Sequence, residues 1–213
     1  GVAFQEVFGP QEEVAPEALR GLAEKVGALR KDETATRRLG VSPHAPFTVS
    51  APLFESVRDL SALEQLPLTV HVAESREETQ FVRDGSGPFA AHWNSRKIPV
   101  VTRGATPIQY LDDLGVFSSR TLAIHAIEAD SADIATLSAR GAAVAHCPKS
   151  NLKLGHGVAP VAEFVDAGIL VGLGTDSVVS NNVVDMFEEM RAAIFLQRTR
   201  KNDPAAIGAQ LAL

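Results

Sequence analysis

The sequence contains one cysteine, Cys147, among 213 residues. No internal disulfide can form, and such usage fits a reducing compartment, so a cytoplasmic protein is expected. No apolar run approaches the ~20 residues that a membrane-spanning helix needs. The opening GVAFQEVFG has neither the charged head nor the long apolar stretch of a signal peptide. No cluster of Lys and Arg interleaved with aromatics occurs, and the formal net charge is -6. Neither nucleic acid nor a membrane is therefore expected as a partner. There is no initiator Met, and the first residues already read as a strand, which predicts a chain truncated at its N-terminus. One further absence concerns chemistry: no His-x-His pair occurs anywhere.

With 45% hydrophobic and 22% charged residues, the composition is that of a globular domain long enough for a single buried core. Strand-like and helix-like stretches alternate. Val2–Val7 reads as a strand, and in PEALRGLAEKVGALRK the residues Leu19, Leu22, Val26 and Leu29 share one helical face behind Pro16. RLGVSPHAPF is a short strand ending at His44. A helix follows, with Ser50 as N-cap, Pro52 in its first turn, and Leu53, Val57 and Leu60 at helical spacing. LPLTVHV is a buried strand, and the helix after it carries Glu77, Glu78, Phe81 and Val82. Residues 85–104 predict a long irregular loop over one end of the fold. Then come the strand TLAIHA, a helix capped by Ser131 and closed by Gly141, the strand AAVAHC, a helix over 162–167, and the strand ILVGLGTD. A last helix is predicted from about Val184 to Arg198. The residues after Asn202 are too few to assign.

Continuously apolar strands joined by helices indicate a parallel sheet covered by helices. Six strand–helix units fit either a doubly wound open sheet or three-quarters of a (β/α)8 TIM barrel. Glu6, His44, His71, His125, His146 and Asp176 all fall at C-terminal strand ends, which in a barrel meet at one mouth. An open sheet more often binds at one switch point through a glycine-rich phosphate loop. GLGTDS is the nearest candidate, and it lacks the G-x-G-x-x-G spacing. A partial barrel is predicted.

Three of these residues, together with Glu74, suit metal-assisted hydrolysis. His71 ends a strand and Glu74 follows three residues later, so an imidazole nitrogen and a carboxylate can share one pocket. A buried histidine beside an N-terminal helix acid is the plain alternative. Asp176 closes one of the most apolar runs, where an ionised carboxylate is costly unless it meets a cation or several donors. His125 ends the strand between them. The nitrogen and oxygen donors suit Zn²⁺ best, with Fe²⁺ or Mn²⁺ as alternatives. Such an ion lowers the pKa of a bound water toward neutrality, and Glu74 can then shuttle a proton to the leaving group.

HVAE, SPHAPFTVS, AHCPKSNLKLGHG and GTDSVVSNN, in that order, resemble the metal-dependent amidohydrolase superfamily in its deaminase and chlorohydrolase branch. The resemblance runs from about Gly1 to Arg198. Within the branch, QEVFGP, SPHAPFTVS and HCPKSN look most like the enzymes that deaminate aminodeoxyfutalosine, with adenosine- and S-adenosylhomocysteine-type deaminases as near relatives. The resemblance implies His71 as a metal ligand, Glu74 as proton shuttle, His125 as the group that contacts the reactive water, and Asp176 as both ligand and base. It implies His44 as a substrate contact.

Other residues carry open readings. Glu6 can reach the mouth as a substrate contact or stand as a solvated acid. His146 and Asn151 can touch substrate or lie behind the site, as a core imidazole and a turn residue. Ser177 and Asn181 can line the site or cap the final helix. His92 reads as a surface residue, His156 between two glycines as part of a flexible loop, and Cys147 as a small buried hydrophobe.

The family's His-x-His pair, its first two strand–helix units and its small β-domain are absent, so the chain is expected to be one truncated catalytic barrel domain. Two protein ligands hold metal weakly, and the chain alone is expected to be nearly inactive. Opened strand edges invite association, with a homodimer as one form. The expected reaction is hydrolytic deamination of a small aminopurine nucleoside-like molecule. A chlorohydrolase or guanine- or triazine-type hydrolase, and a non-catalytic fragment, are the competing readings.

Overall fold

The computed structural model describes residues 1–212 and contains a six-stranded parallel sheet in the order β1-β2-β3-β4-β5-β6. The strands are Val2–Val7, Arg38–Pro43, Leu68–Val72, Thr121–His125, Ala143–His146 and Val171–Leu173. Every neighbour in space is the next strand in sequence, and every pairing is parallel. Parallel crossovers are right-handed, so an unreversed strand order puts all the helices on one side of the sheet. That is barrel winding; a doubly wound sheet reverses its order once. The expected partial barrel is present, six consecutive staves of the eight that close a TIM barrel.

The connections supply α1 (Ala15–Leu29), α2 (Ala51–Leu63), α3 (Arg76–Asp84), α4 (Gly87–Ser95), α5 (Pro107–Asp113), α6 (Ser131–Arg140), α7 (Pro148–Leu154) and α8 (Val161–Asp166). After β6 come α9 (Val178–Asn181), α10 (Met186–Lys201) and α11 (Ala209–Ala212). The core lies between sheet and helices. Val41, Val70, Ala123 and Val144 are fully buried on the strands, against Leu53, Phe54, Val57, Leu137 and Phe164 from the helices.

Three local expectations differ from the structure. The predicted loop over 85–104 contains α4, because Pro88 occupies the first turn of a helix rather than breaking one. Phe89 stacks on Phe47 at 4.2 Å, and the Trp93 Nε1–H donates to the Phe47 carbonyl at 2.7 Å. Tertiary packing thus supports a helix with little apolar periodicity. The cap of α6 is Asp130 rather than Ser131: its carboxylate accepts the N–H groups of Ala132 and Asp133. The final helix starts at Met186, with Asp185 as its cap, and runs to Lys201.

Candidate active site

The strand register brings the C-terminal ends level: Val7 pairs with Pro43, Val72 with His125 and His146 with Leu173. Side chains just beyond those ends face a shared mouth. The His71 and His125 rings lie 5.6 Å apart and the His44 and His71 rings 4.9 Å apart. The backbone bends sharply here. Ala73, His125, Ala126 and Asp176 all have positive φ, at 51°, 72°, 46° and 56°. Non-glycine residues seldom adopt this region, and functional sites hold a disproportionate share of those that do.

His71 and His44 have fixed tautomers. Thr48 Oγ1 donates to the Ala45 carbonyl at 3.1 Å, so at 2.7 Å it accepts the proton on His44 Nδ1. His71 Nδ1 faces the His44 carbonyl at 3.1 Å and must be the donor. Both rings therefore keep a lone pair on Nε2, the arrangement that orients metal-binding imidazoles. Burial, reinforced by His71, pushes the His44 pKa down to about 4 and keeps the ring neutral. Glu6, exposed at the end of β1, completes a group of donor atoms with His44 and His71, all within 4.8 Å of one another.

Glu74 faces two further imidazoles. Its Oε1 lies 3.6 Å from His125 Nε2 and 3.4 Å from His156 Nδ1. His125 is 1% exposed, and burial lowers its pKa, partly opposed by Glu74. Asn151, 1% exposed, is placed behind His125, with its Oδ1 3.1 Å from the ring's Nδ1. Asp176 is exposed at the mouth, and its Oδ2 accepts the Ser150 and Ser180 hydroxyls at 2.6 and 2.7 Å. Burial works against ionisation, but those two hydroxyls, with the Ser177 N–H and His125 adding to them, outweigh it and hold the carboxyl below the usual range. Ser177 caps α9, accepting the Ser180 N–H at 3.3 Å. Asn181 ties the Thr175 carbonyl to Glu189 on α10.

Four polar residues escaped the sequence reading. Glu78 is fully buried on α3, and its two oxygens accept the N–H groups of Ala73 and Glu74 at 2.9 and 2.8 Å. It fixes the bend that carries Glu74. Burial pushes its pKa up to about 8 against the pull of those donors. Glu189, fully buried, accepts the Lys149 N–H and the Asn181 amide. Thr48 and Ser150 hold His44 and Asp176 as described. A buried carboxylate on a helix carries no sequence signal that separates it from a solvated one; only the apolar positions around it could have hinted at burial. His156 was assigned to a flexible loop, yet it is held at the site, because its N–H bonds the Asn151 carbonyl at 3.0 Å.

Beside the mouth, Phe47, Phe81, Trp93, Tyr110 and Ser50 line a cavity of about 280 Å³. None of His71, Glu74, His125 and Asp176 lines it.

A barrel mouth with strand-end imidazoles and carboxylates defines a class of hydrolase, and the chain belongs to the amidohydrolase family, whose profile matches residues 6–210. That family is metal-dependent. Among its relatives, a 5-methylthioadenosine/S-adenosylhomocysteine deaminase of Pelotomaculum thermopropionicum is 43% identical over 165 residues, covering 78% of this chain and 34% of the relative. An aminodeoxyfutalosine deaminase of Deinococcus radiodurans is 37% identical over 205 residues, covering 91% and 48%. The crystal structure of an adenosine deaminase from Xanthomonas campestris with bound zinc superposes with a TM-score of 0.77 at 31% identity, covering 92% of this chain and 40% of that one. The chain spans a third to a half of the length of the curated relatives it matches.

Proposed function

We propose that this chain is the larger part of the catalytic barrel of a metal-dependent deaminase, which replaces the exocyclic amino group of a 6-aminopurine nucleoside by oxygen. The observation that carries this reading is the meeting of His71, with its Nε2 lone pair free, and Glu74, with Oε1 facing His125, at one mouth. The deaminase names of the relatives support the substrate class, including aminodeoxyfutalosine and S-adenosylhomocysteine-type nucleosides.

The donor set fits a divalent cation, zinc first and Fe²⁺ or Mn²⁺ as alternatives, because neutral imidazole and carboxylate suit all three. His71 Nε2 and Asp176 are the ligands that this chain supplies in our reading. The cation, when bound, supplies Lewis acidity that makes water nucleophilic near neutral pH. The chain's own groups move the protons. Asp176, held ionised by Ser150 and Ser180, takes one from the attacking water. Glu74 carries a proton to the ring nitrogen beside C6 as water adds there, and then to the amino group, which leaves as ammonia. His125, turned by Asn151, orients the water, and the free His44 Nε2 accepts a hydrogen bond from the substrate. Glu6 and Ser177 stand at the same rim as further substrate contacts.

The test is ammonia release from adenosine, S-adenosylhomocysteine and aminodeoxyfutalosine by the full-length natural polypeptide, with and without chelator. Turnover that is lost with chelator, regained with Zn²⁺ and lowered about 10²–10⁴-fold in Glu74→Gln is expected. Chloride release from a chlorotriazine with no ammonia from any nucleoside would overturn the reading. The 213-residue chain alone should hold metal weakly and turn over little. Among the described residues no helix is long and apolar enough to cross a membrane. The single cysteine, Cys147, fits a reducing compartment, and we propose the cytoplasm as its location.

A further inference from the structure

His156 is absent from the mechanism above, yet its ring is one of two that face the same oxygen of Glu74. Its Nδ1 lies 3.4 Å from Glu74 Oε1, and His125 Nε2 lies 3.6 Å from that atom. Neither separation is yet a formed hydrogen bond, and catalytic contacts commonly tighten only once substrate is bound. The two rings differ in what they can give. The His125 Nδ1 proton is committed to Asn151 Oδ1 at 3.1 Å, so a neutral His125 turns a lone pair toward the carboxylate. His156 makes no other side-chain hydrogen bond among the described residues and is free to carry its proton on Nδ1.

The backbone places this ring with some care. Gly155 and Gly157 on either side have φ of +72° and +113°, values that residues with a Cβ seldom adopt. The His156 N–H is tied to the Asn151 carbonyl at the end of α7. Asn151 thus holds both imidazoles, one through its side chain and one through its backbone.

We propose that His156 is a positioning residue for Glu74: its Nδ1–H donates to Oε1 and leaves Oε2 free to exchange the proton with water and substrate. This rests on Glu74 being the proton carrier. A His156→Leu variant should then lose about tenfold to a hundredfold in kcat with KM changed less than about threefold. His156→Asn, whose amide nitrogen can occupy the Nδ1 position, should regain most of the loss. A rise in KM at unchanged kcat, or no rescue by asparagine in a variant that unfolds at the wild-type temperature, would overturn the proposal.

A second measurement needs neither turnover nor a variant. In the ¹⁵N-histidine-labelled 213-residue chain, the neutral His156 ring should carry its proton on Nδ1, read from its two-bond nitrogen–proton pattern. Finding it on Nε2 sinks the proposal even if the protein is a deaminase. Finding it on Nδ1 in a protein with no deaminase activity would leave the contact standing and fault the proposed reaction instead.

Discussion

Four residues with positive φ, Ala73, His125, Ala126 and Asp176, shape the candidate site at or shortly after the strand ends. Such conformations cost about 1–3 kcal/mol apiece, and the neighbouring contacts offset them. The Ala126 N–H bonds the Val72 carbonyl, and Asp176 is gripped by two hydroxyls. The strand-end placement of His71, His125 and Asp176 was legible in the sequence, because an apolar run that stops on a polar residue is a visible pattern. His156 was not, since a histidine between two glycines looks the same whether the loop is free or anchored. The anchor is a backbone hydrogen bond with no side-chain signature. Cys147 reads the same way in sequence and structure. It is 3% exposed, and burial pushes its thiol up to about 12, with Asp176 and Glu189 adding to the effect. Native protein should therefore react negligibly with a maleimide over hours at pH 7, whereas denatured protein should label at once. Rapid labelling in the native state would show that the segment after β5 opens freely.

At the scale of elements, the strands and their order could be read directly, because six apolar runs separated by helical periodicities allow few topologies. The helix over 87–95 could not. α4 contains only one buried residue, Ala90, so it has no apolar stripe to detect and depends on contacts with the β2–α2 loop. α3 shows the converse case, a helix whose buried face includes a carboxylate. Glu78→Gln keeps the size of that side chain but turns an NH₂ group toward one of two backbone N–H groups. We expect it to lower unfolding free energy by about 2 kcal/mol, measured from urea midpoints at pH 9, where the carboxyl with its pKa of about 8 is ionised. Activity should fall as well, since the same bend carries Glu74. An unchanged midpoint would mean that the two N–H groups find other partners.

For the whole molecule, acid stability should follow the buried imidazoles. Burial, with His125 adding to it, pushes His146 down to about 4 from an ordinary value of 6.5. The unfolded chain then takes up the proton first as pH falls. The stability associated with the neutral ring is full above about pH 6.5 and is lost between there and about pH 4. One such group corresponds to roughly 3 kcal/mol, and His44 titrates in the same window. Replacing His146 by Leu should flatten the dependence of unfolding free energy on pH across that interval, whatever it does to stability at pH 7. A slope identical to wild type would assign the acid sensitivity elsewhere.

The strand order has one more consequence. β1 pairs only with β2, and β6 only with β5. β6 is three residues long and none of them is buried, while Val179 on α9 and Phe187 and Phe195 on α10 stand exposed. The two outer strands offer free hydrogen-bonding edges, and a barrel of this kind closes with eight. Each of these edges can take up a further strand. We expect a separate polypeptide carrying two strand–helix units and a His-x-His pair to assemble with it, read as a larger sedimentation coefficient together with higher metal affinity in the same titration.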